Sequence, residues 1–126
     1  MRFRCARGRG SAGGRIVKTT GDGLVLCFDG AARAVRCAQA IVTEGKRLGL
    51  GVRAGVHAGD CEQRGEDVLG LTVHVAARVA ALAAAGEVLV TGTVRDMVLG
   101  SALAFADRGR QKLRGVPEDW LLYVVR

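Results

Sequence analysis

At 126 residues, with 49% apolar and 25% charged side chains, the chain has the size and make-up of one globular domain with a real core, which excludes a disordered chain as the default. No uncharged stretch nears the roughly 20 residues of a bilayer-spanning helix, and no segment reads as a secretory signal, so no membrane segment and a cytoplasmic location are expected. The net charge of +7 raises nucleic acid as a partner, but 4% aromatic content leaves few platforms for base stacking, and nucleic-acid binding is not expected.

Residues 1–14, with Arg2, Arg4, Arg7 and Arg9 followed by a Ser/Gly/Ala run, read as a flexible arm, and residues 15–126 as the folded domain. Ile16-Val17-Lys18 and Leu24 to Phe28 are β-prone runs around Gly21-Asp22-Gly23, which predicts a hairpin with an acidic tip between two glycines. On its own, G-D-G is also an ordinary hairpin turn with a surface Asp. From Ala31 to Leu48 apolar and small residues recur at three- and four-residue spacing, as on an amphipathic helix. Gly51 to Cys61 alternates like a strand, with Val52, Ala54, Val56 and Ala58 on one side and Arg53, Gly55 and His57 on the other.

Gln63 to Asp67 reads as a polar loop. A second helix is expected over Leu71 to Ala85, with Leu71, Val75, Val79 and Leu82 as its buried stripe and His74 and Arg78 sharing another face. Gly86 ends it, Glu87 to Thr91 is a short strand, Thr93 to Leu99 one or two helical turns, and Leu103 to Arg114 and Trp120 to Val125 two further strands. The order implies an α+β fold, with helices on one face of a mainly antiparallel sheet. Cys5, Cys27, Cys37 and Cys61 form no C-x-x-C pair and stand away from zinc-ligand spacing with either His; they read as reduced thiols, Cys27 and Cys37 in the core.

Four pieces in this order resemble the class III nucleotidyl cyclases, the adenylate and guanylate cyclase catalytic domains. They are V-K-T-T-G-D-G (Val17–Gly23), V-R-A-G-V-H-A-G-D (Val52–Asp60), E-D-V-L-G-L-T-V-H-V-A-A-R-V (Glu66–Val79) and G-E-V-L-V-T (Gly86–Thr91); V-R-D near Val94, D-R-G near Asp107 and K-L-R-G at Lys112 add to them. The resemblance implies a ferredoxin-like cyclase fold and the conversion of ATP to 3′,5′-cyclic AMP and pyrophosphate at a dimer interface, with two Mg²⁺ or Mn²⁺ ions. One ion would acidify the ribose 3′-hydroxyl and the other neutralise the polyphosphate.

On the same resemblance, Asp22 is a metal ligand, Lys18 and Asp67 read the base in a pairing that favours ATP over GTP, Arg78 stabilises charge on the reacting phosphate, and Arg114 holds the terminal phosphates. His74 stands where the family usually has a ribose-positioning asparagine. The family's domain normally opens with a strand carrying the first metal aspartate and two helices, so an N-terminally incomplete domain is expected, whose full activity needs that carboxylate. Asp29 is seven residues beyond Asp22, roughly 20 Å along a strand, and Asp60 remains open as a substitute. The implied partner is a second copy of the chain or a complete cyclase domain; the alternative function is a non-catalytic pseudo-cyclase that binds nucleotide or regulates such a partner.

Overall fold

The computed structural model describes residues 2–7, 15–20, 23–28, 30–58, 62–64, 67–69, 71–115 and 118–126, with side chains over 30–58, 74–115 and 118–126. Its strands are β1 (Arg2–Arg7), β2 (Arg15–Thr20), β3 (Gly23–Phe28), β4 (Arg53–His57), β5 (Glu62–Arg64), β6 (Asp67–Leu69), β7 (Val88–Thr91), β8 (Phe105–Lys112) and β9 (Asp119–Val125). The helices are α1 (Ala31–Arg47), α2 (Leu71–Leu82) and α3 (Gly92–Met97). Seven strands form one sheet in the order β2-β3-β1-β4-β7-β9-β8, and β5 and β6 form a separate two-stranded ribbon.

The α+β class is as expected, and the hairpin strands β2 and β3 pair antiparallel. Asp22, at the predicted tip, and Asp29 and Asp60 lie outside the described residues. Several features differ from the sequence reading. Residues 2–7 are not part of an arm: β1 lies between β3 and β4, parallel to both, with Arg2 opposite Gly23 on one side and Arg53 on the other. The parallel pairing of β4 with β7 continues this, so the sheet is half parallel rather than mainly antiparallel. The expected polar loop 63–67 contains the ends of β5 and β6, which pair antiparallel through Gln63 and Val68.

The helices also cover both faces of the sheet. Strand register puts Ala54, Val56, Val88 and Val90 on one face, where they form a core with Ala34, Val35, Ala38 and Val42 of α1. The opposite face presents Gly55 and Leu89, which meet α2: Leu89, Leu113 and Leu122 pack with Val75, Val79 and Ala83. Alternation of small and branched residues on β4 makes this two-sided burial possible, since neither face carries an unpaired charge at its centre. Leu82, expected in the buried stripe, is exposed, while Ala76, Ala80 and Ala83 are buried. The cause is Gly55, where a Cβ would come within 2.3 Å of Ala80 N and 2.6 Å of Ala76 O; its absence lets α2 settle backbone-close on β4 through its alanines.

Among the described residues no helix is long and apolar enough to cross a membrane. Cys37 is half-buried against the α1 core, as expected of a structural thiol, and burial pushes its pKa up.

Candidate active site

The face that carries α2 brings together three of the residues singled out from the sequence, His74, Arg78 and Arg114. His74 and Arg78, one turn apart on α2, are both half-buried. The turn after β8 closes against the same helix: Leu113 is fully buried among Val75 and Val79, and Gly115 takes φ +82°, a left-handed conformation that glycine adopts freely. A Cβ on Gly115 would stand 3.1 Å from His74 Nε2, so the turn rests on the imidazole. Arg114, between them, is exposed to solvent. Arg78 Nε is buried without a hydrogen-bond partner among the described residues, and so is Trp120 Nε1 at the edge of the same apolar cluster. Enclosed donors of this kind are rare in folded proteins unless water or a ligand supplies the acceptor.

Lys18 and Asp67 are placed by the register of their strands. Lys18 lies opposite Val25 in β2, just past an irregularity at Ile16, and Asp67 opposite Arg64 in the small ribbon. β6 touches both β2 and α2, so the strands of the expected base-reading pair adjoin each other and the helix of His74 and Arg78. β2 and β8 are opposite edges of the sheet.

Two polar groupings were not anticipated. His57, at the end of β4, is buried; its Nδ1 is 2.7 Å from Thr91 Oγ1 in β7, one hydrogen bond whose proton position follows the tautomer. The edge of the ring pair with Trp120 closes it off, at 5.0 Å between centroids and 89° between planes. Burial pulls the His57 pKa down to about 4, so the ring is neutral at physiological pH. The second grouping joins Glu87, just before β7, to Arg108 in β8 by an ion pair. The Arg108 guanidinium holds the Glu87 carboxyl below the usual carboxylate range. Alternation on β4 marked the His57 face but not its partner, and nothing in residue spacing links positions 87 and 108.

The expected metal site is not assembled by the described residues. No group of three or more His, Cys, Asp or Glu side chains among them converges to hold an ion, and β1, an interior strand of the sheet, reads Arg-Phe-Arg-Cys-Ala-Arg without a carboxylate.

A half-parallel sheet with an Arg/His helix on one face and a basic turn closed against it defines an α+β domain whose cationic side suits an anionic ligand. The Adenylate and Guanylate cyclase catalytic domain family matches residues 16–126, and the chain belongs to that family. A Rhizobium meliloti protein that bears an adenylate cyclase name is 34% identical over 112 residues, 82% of this chain and 19% of that protein. Among solved structures, an Adenylate/Guanylate Cyclase/Hydrolase from Silicibacter pomeroyi superposes with a TM-score of 0.77 at 32% identity, covering 90% of this chain and 73% of that one. The adenylate cyclases of Trypanosoma brucei in their monomeric state share the fold at a TM-score of 0.76 and 21% identity, over 89% of this chain and 69% of theirs. The chain spans 19% and 39% of the length of the first curated relatives that it matches.

Proposed function

We propose that this domain binds ATP along the α2 face and acts as an adenylate-cyclase-type catalytic domain, forming 3′,5′-cyclic AMP and pyrophosphate within a dimer. The observation that carries the reading is Arg78: its Nε is enclosed without an acceptor among the described residues, on the helix against which the Arg114 turn closes. A phosphate oxygen would supply the missing acceptor. The fixed guanidinium fork would then stabilise the charge that builds on the phosphorus as the 3′-hydroxyl attacks and pyrophosphate leaves. Arg114, exposed on its turn, would hold the terminal phosphates, and His74, under the same turn, would donate from its ring nitrogen to the ribose. Lys18 and Asp67, on adjoining strands, would read the adenine.

The proposed ions, Mg²⁺ or Mn²⁺, would acidify the 3′-hydroxyl and neutralise the triphosphate. Asp22, the carboxylate that this reading assigns to an ion, lies outside the described residues, and the roles argued from described side chains are those of Arg78, His74 and Arg114. In this reading Asp22 contributes a ligand to the site of a partner domain, which makes a second copy of the chain or a complete cyclase domain necessary. A second reading is favoured by β1: with no carboxylate in this interior strand, the domain binds nucleotide without turning it over and regulates a complete cyclase.

The test is to incubate the purified chain with ATP and either ion, quantify cyclic AMP, and measure ATP binding by equilibrium dialysis. Cyclic AMP that falls about 100-fold or more in Arg78→Ala and disappears in Asp22→Ala supports catalysis. ATP binding that depends on Arg78 without any product supports the pseudo-cyclase. A folded chain that does neither overturns both.

A further inference from the structure

The Asp107-Arg108-Gly109 piece forms a β-bulge in β8: Asp107 pairs with Tyr123 and Gly109 with Leu122, leaving Arg108 as the extra residue. Gly109 takes φ +89°, and its N–H donates to Asp107 Oδ1 at 2.6 Å, which fixes the bulge locally. Arg108, released from the ladder, turns its Nη2 to Glu87 Oε2. The other carboxylate oxygen of Glu87 accepts the N–H of Ala84 at 2.8 Å, and the Glu87 N–H donates to the Ala84 carbonyl at 3.0 Å. Glu87 thus grips the chain just beyond α2 with one oxygen and β8 with the other. The same strand grips the opposite part of α2 through its following turn, where Leu113 fills the space at Val75 and Val79 and Gly115 rests on His74. His74 lies under the hold made by the turn, and Arg78 lies along the helix between it and the hold at Ala84.

We infer that Arg108 and Glu87 are a positioning pair for the phosphate end of the nucleotide site. By fixing the C-terminal end of α2 to β8, they set the separation between Arg78 and His74 on the helix and Arg114 on the turn. This rests on the reading of Arg78 and Arg114 as phosphate ligands. Arg108 touches no ligand in this scheme and acts only through the placement of α2. Its side chain is 34% exposed and that of Glu87 24%, so the pair lies at the margin of the fold, where removal leaves the core intact.

The test compares Arg108→Ala, Glu87→Gln and Arg108→Lys with the unmodified chain. Glu87→Gln keeps an oxygen for the Ala84 N–H and serves as the second variant should Arg108→Ala not fold. Dissociation constants are measured for ATP and for adenosine, and hydrogen exchange for the amides of Ala84 and residues 113–115. In Arg108→Ala and Glu87→Gln, ATP binding is expected to weaken about fivefold, the size of one charge-assisted contact at a half-exposed site, while adenosine binding is unchanged. Exchange at both ends of α2's anchorage rises, and Arg108→Lys restores most of each effect. ATP affinity and exchange within twofold of the unmodified chain, or equal losses for ATP and adenosine, overturn the inference. If the unmodified chain binds no ATP, the cyclase reading fails by itself. The exchange measurements still decide the pair: unchanged protection at Ala84 and 113–115 in Arg108→Ala rules it out as an anchor.

Discussion

Substitution of Gly55 by alanine tests the close seating of α2 on the sheet. The added Cβ would lie 2.3 Å from Ala80 N, 2.6 Å from Ala76 O and 2.8 Å from Ala80 Cα. All three are backbone atoms, so no side chain can rotate out of the way, and restoring an ordinary contact requires the helix to lift by roughly 1 Å. A gap of that size forfeits about a quarter to a half of the contact energy along the lifted surface. Val75 and Val79, both fully buried there, contribute roughly 1.5–3 kcal/mol each, so Gly55→Ala is expected to cost about 1–3 kcal/mol, the usual range for overpacking. Urea unfolding followed by the emission of Trp120, the chain's single tryptophan, measures it. Gly92→Ala is the control, because a Cβ there meets nothing closer than 3.7 Å, and its effect is expected to stay within about 0.5 kcal/mol. A Gly55→Ala protein as stable as that control would refute the backbone-close packing. The lift would also move Arg78 and His74 away from Arg114, so ATP affinity is expected to drop together with stability.

Thr91→Val removes the hydroxyl partner of His57 and leaves a buried ring nitrogen unpaired, at a cost of about 1–3 kcal/mol in the same unfolding assay. His57, neutral in the fold with its pKa lowered from 6.5 to about 4, takes up a proton more readily when unfolded. Stability is therefore full above pH 6.5 and declines as the pH falls toward 4, by up to roughly 3 kcal/mol and less where water reaches the ring; His57→Gln flattens that slope. Glu87, held low by Arg108, contributes stability that is present above its unfolded pKa and lost only at lower pH, as its carboxylate protonates in the fold. Gly115→Ala forces φ +82° on an L residue and presses on His74, so a loss of about 1 kcal/mol or more is expected, with ATP binding weakened beyond what the stability change explains. Deleting residues 1–14 strips the partner from the inner edges of β3 and β4 and is expected to abolish cooperative unfolding; a truncated chain that unfolds at the same urea midpoint would show that β1 is dispensable.

What the sequence discloses follows the range of the forces involved. The β2–β3 hairpin and α1 were legible because their signals are local: turn glycines at the hairpin, and a three- and four-residue spacing that buries Ala31, Val35, Ala38, Val42 and Gly45 but leaves Leu48 at its end exposed. On α2 the same reasoning found Val75 and Val79 but chose Leu82 over Ala76, Ala80 and Ala83. Helical spacing favours large apolar residues, and the preference for small ones comes from Gly55, earlier in the chain and across the packing interface. Apolar periodicity put His74 and Arg78 on a helix, as α2 has them, whereas the strand expected to run to Arg114 ends at Lys112 and leaves Arg114 in the turn. Their conjunction had to come from the turn at Gly115, and the Glu87–Arg108 pair from a bulge that frees one residue of β8. Three-residue strands such as β5 and β6 have too little length for any period to show.

Strand β1 is the case where charge misleads and connection length would have helped. Arg at positions 2, 4 and 7 reads as a solvated arm, yet the two strands that flank its slot, β3 and β4, run parallel to one another with a gap between them that only a strand can satisfy. Seven residues separate β1 from β2. A parallel connection needs about a dozen or more, so β1 has to run antiparallel to β2 and hence parallel to β3. The slot, the direction and the partners are thus fixed by backbone hydrogen bonding and chain length, and side-chain identity is left with little say. That is why a strand without a carboxylate can hold an interior place in this sheet, and why the fold and the chemistry of the site must be tested separately.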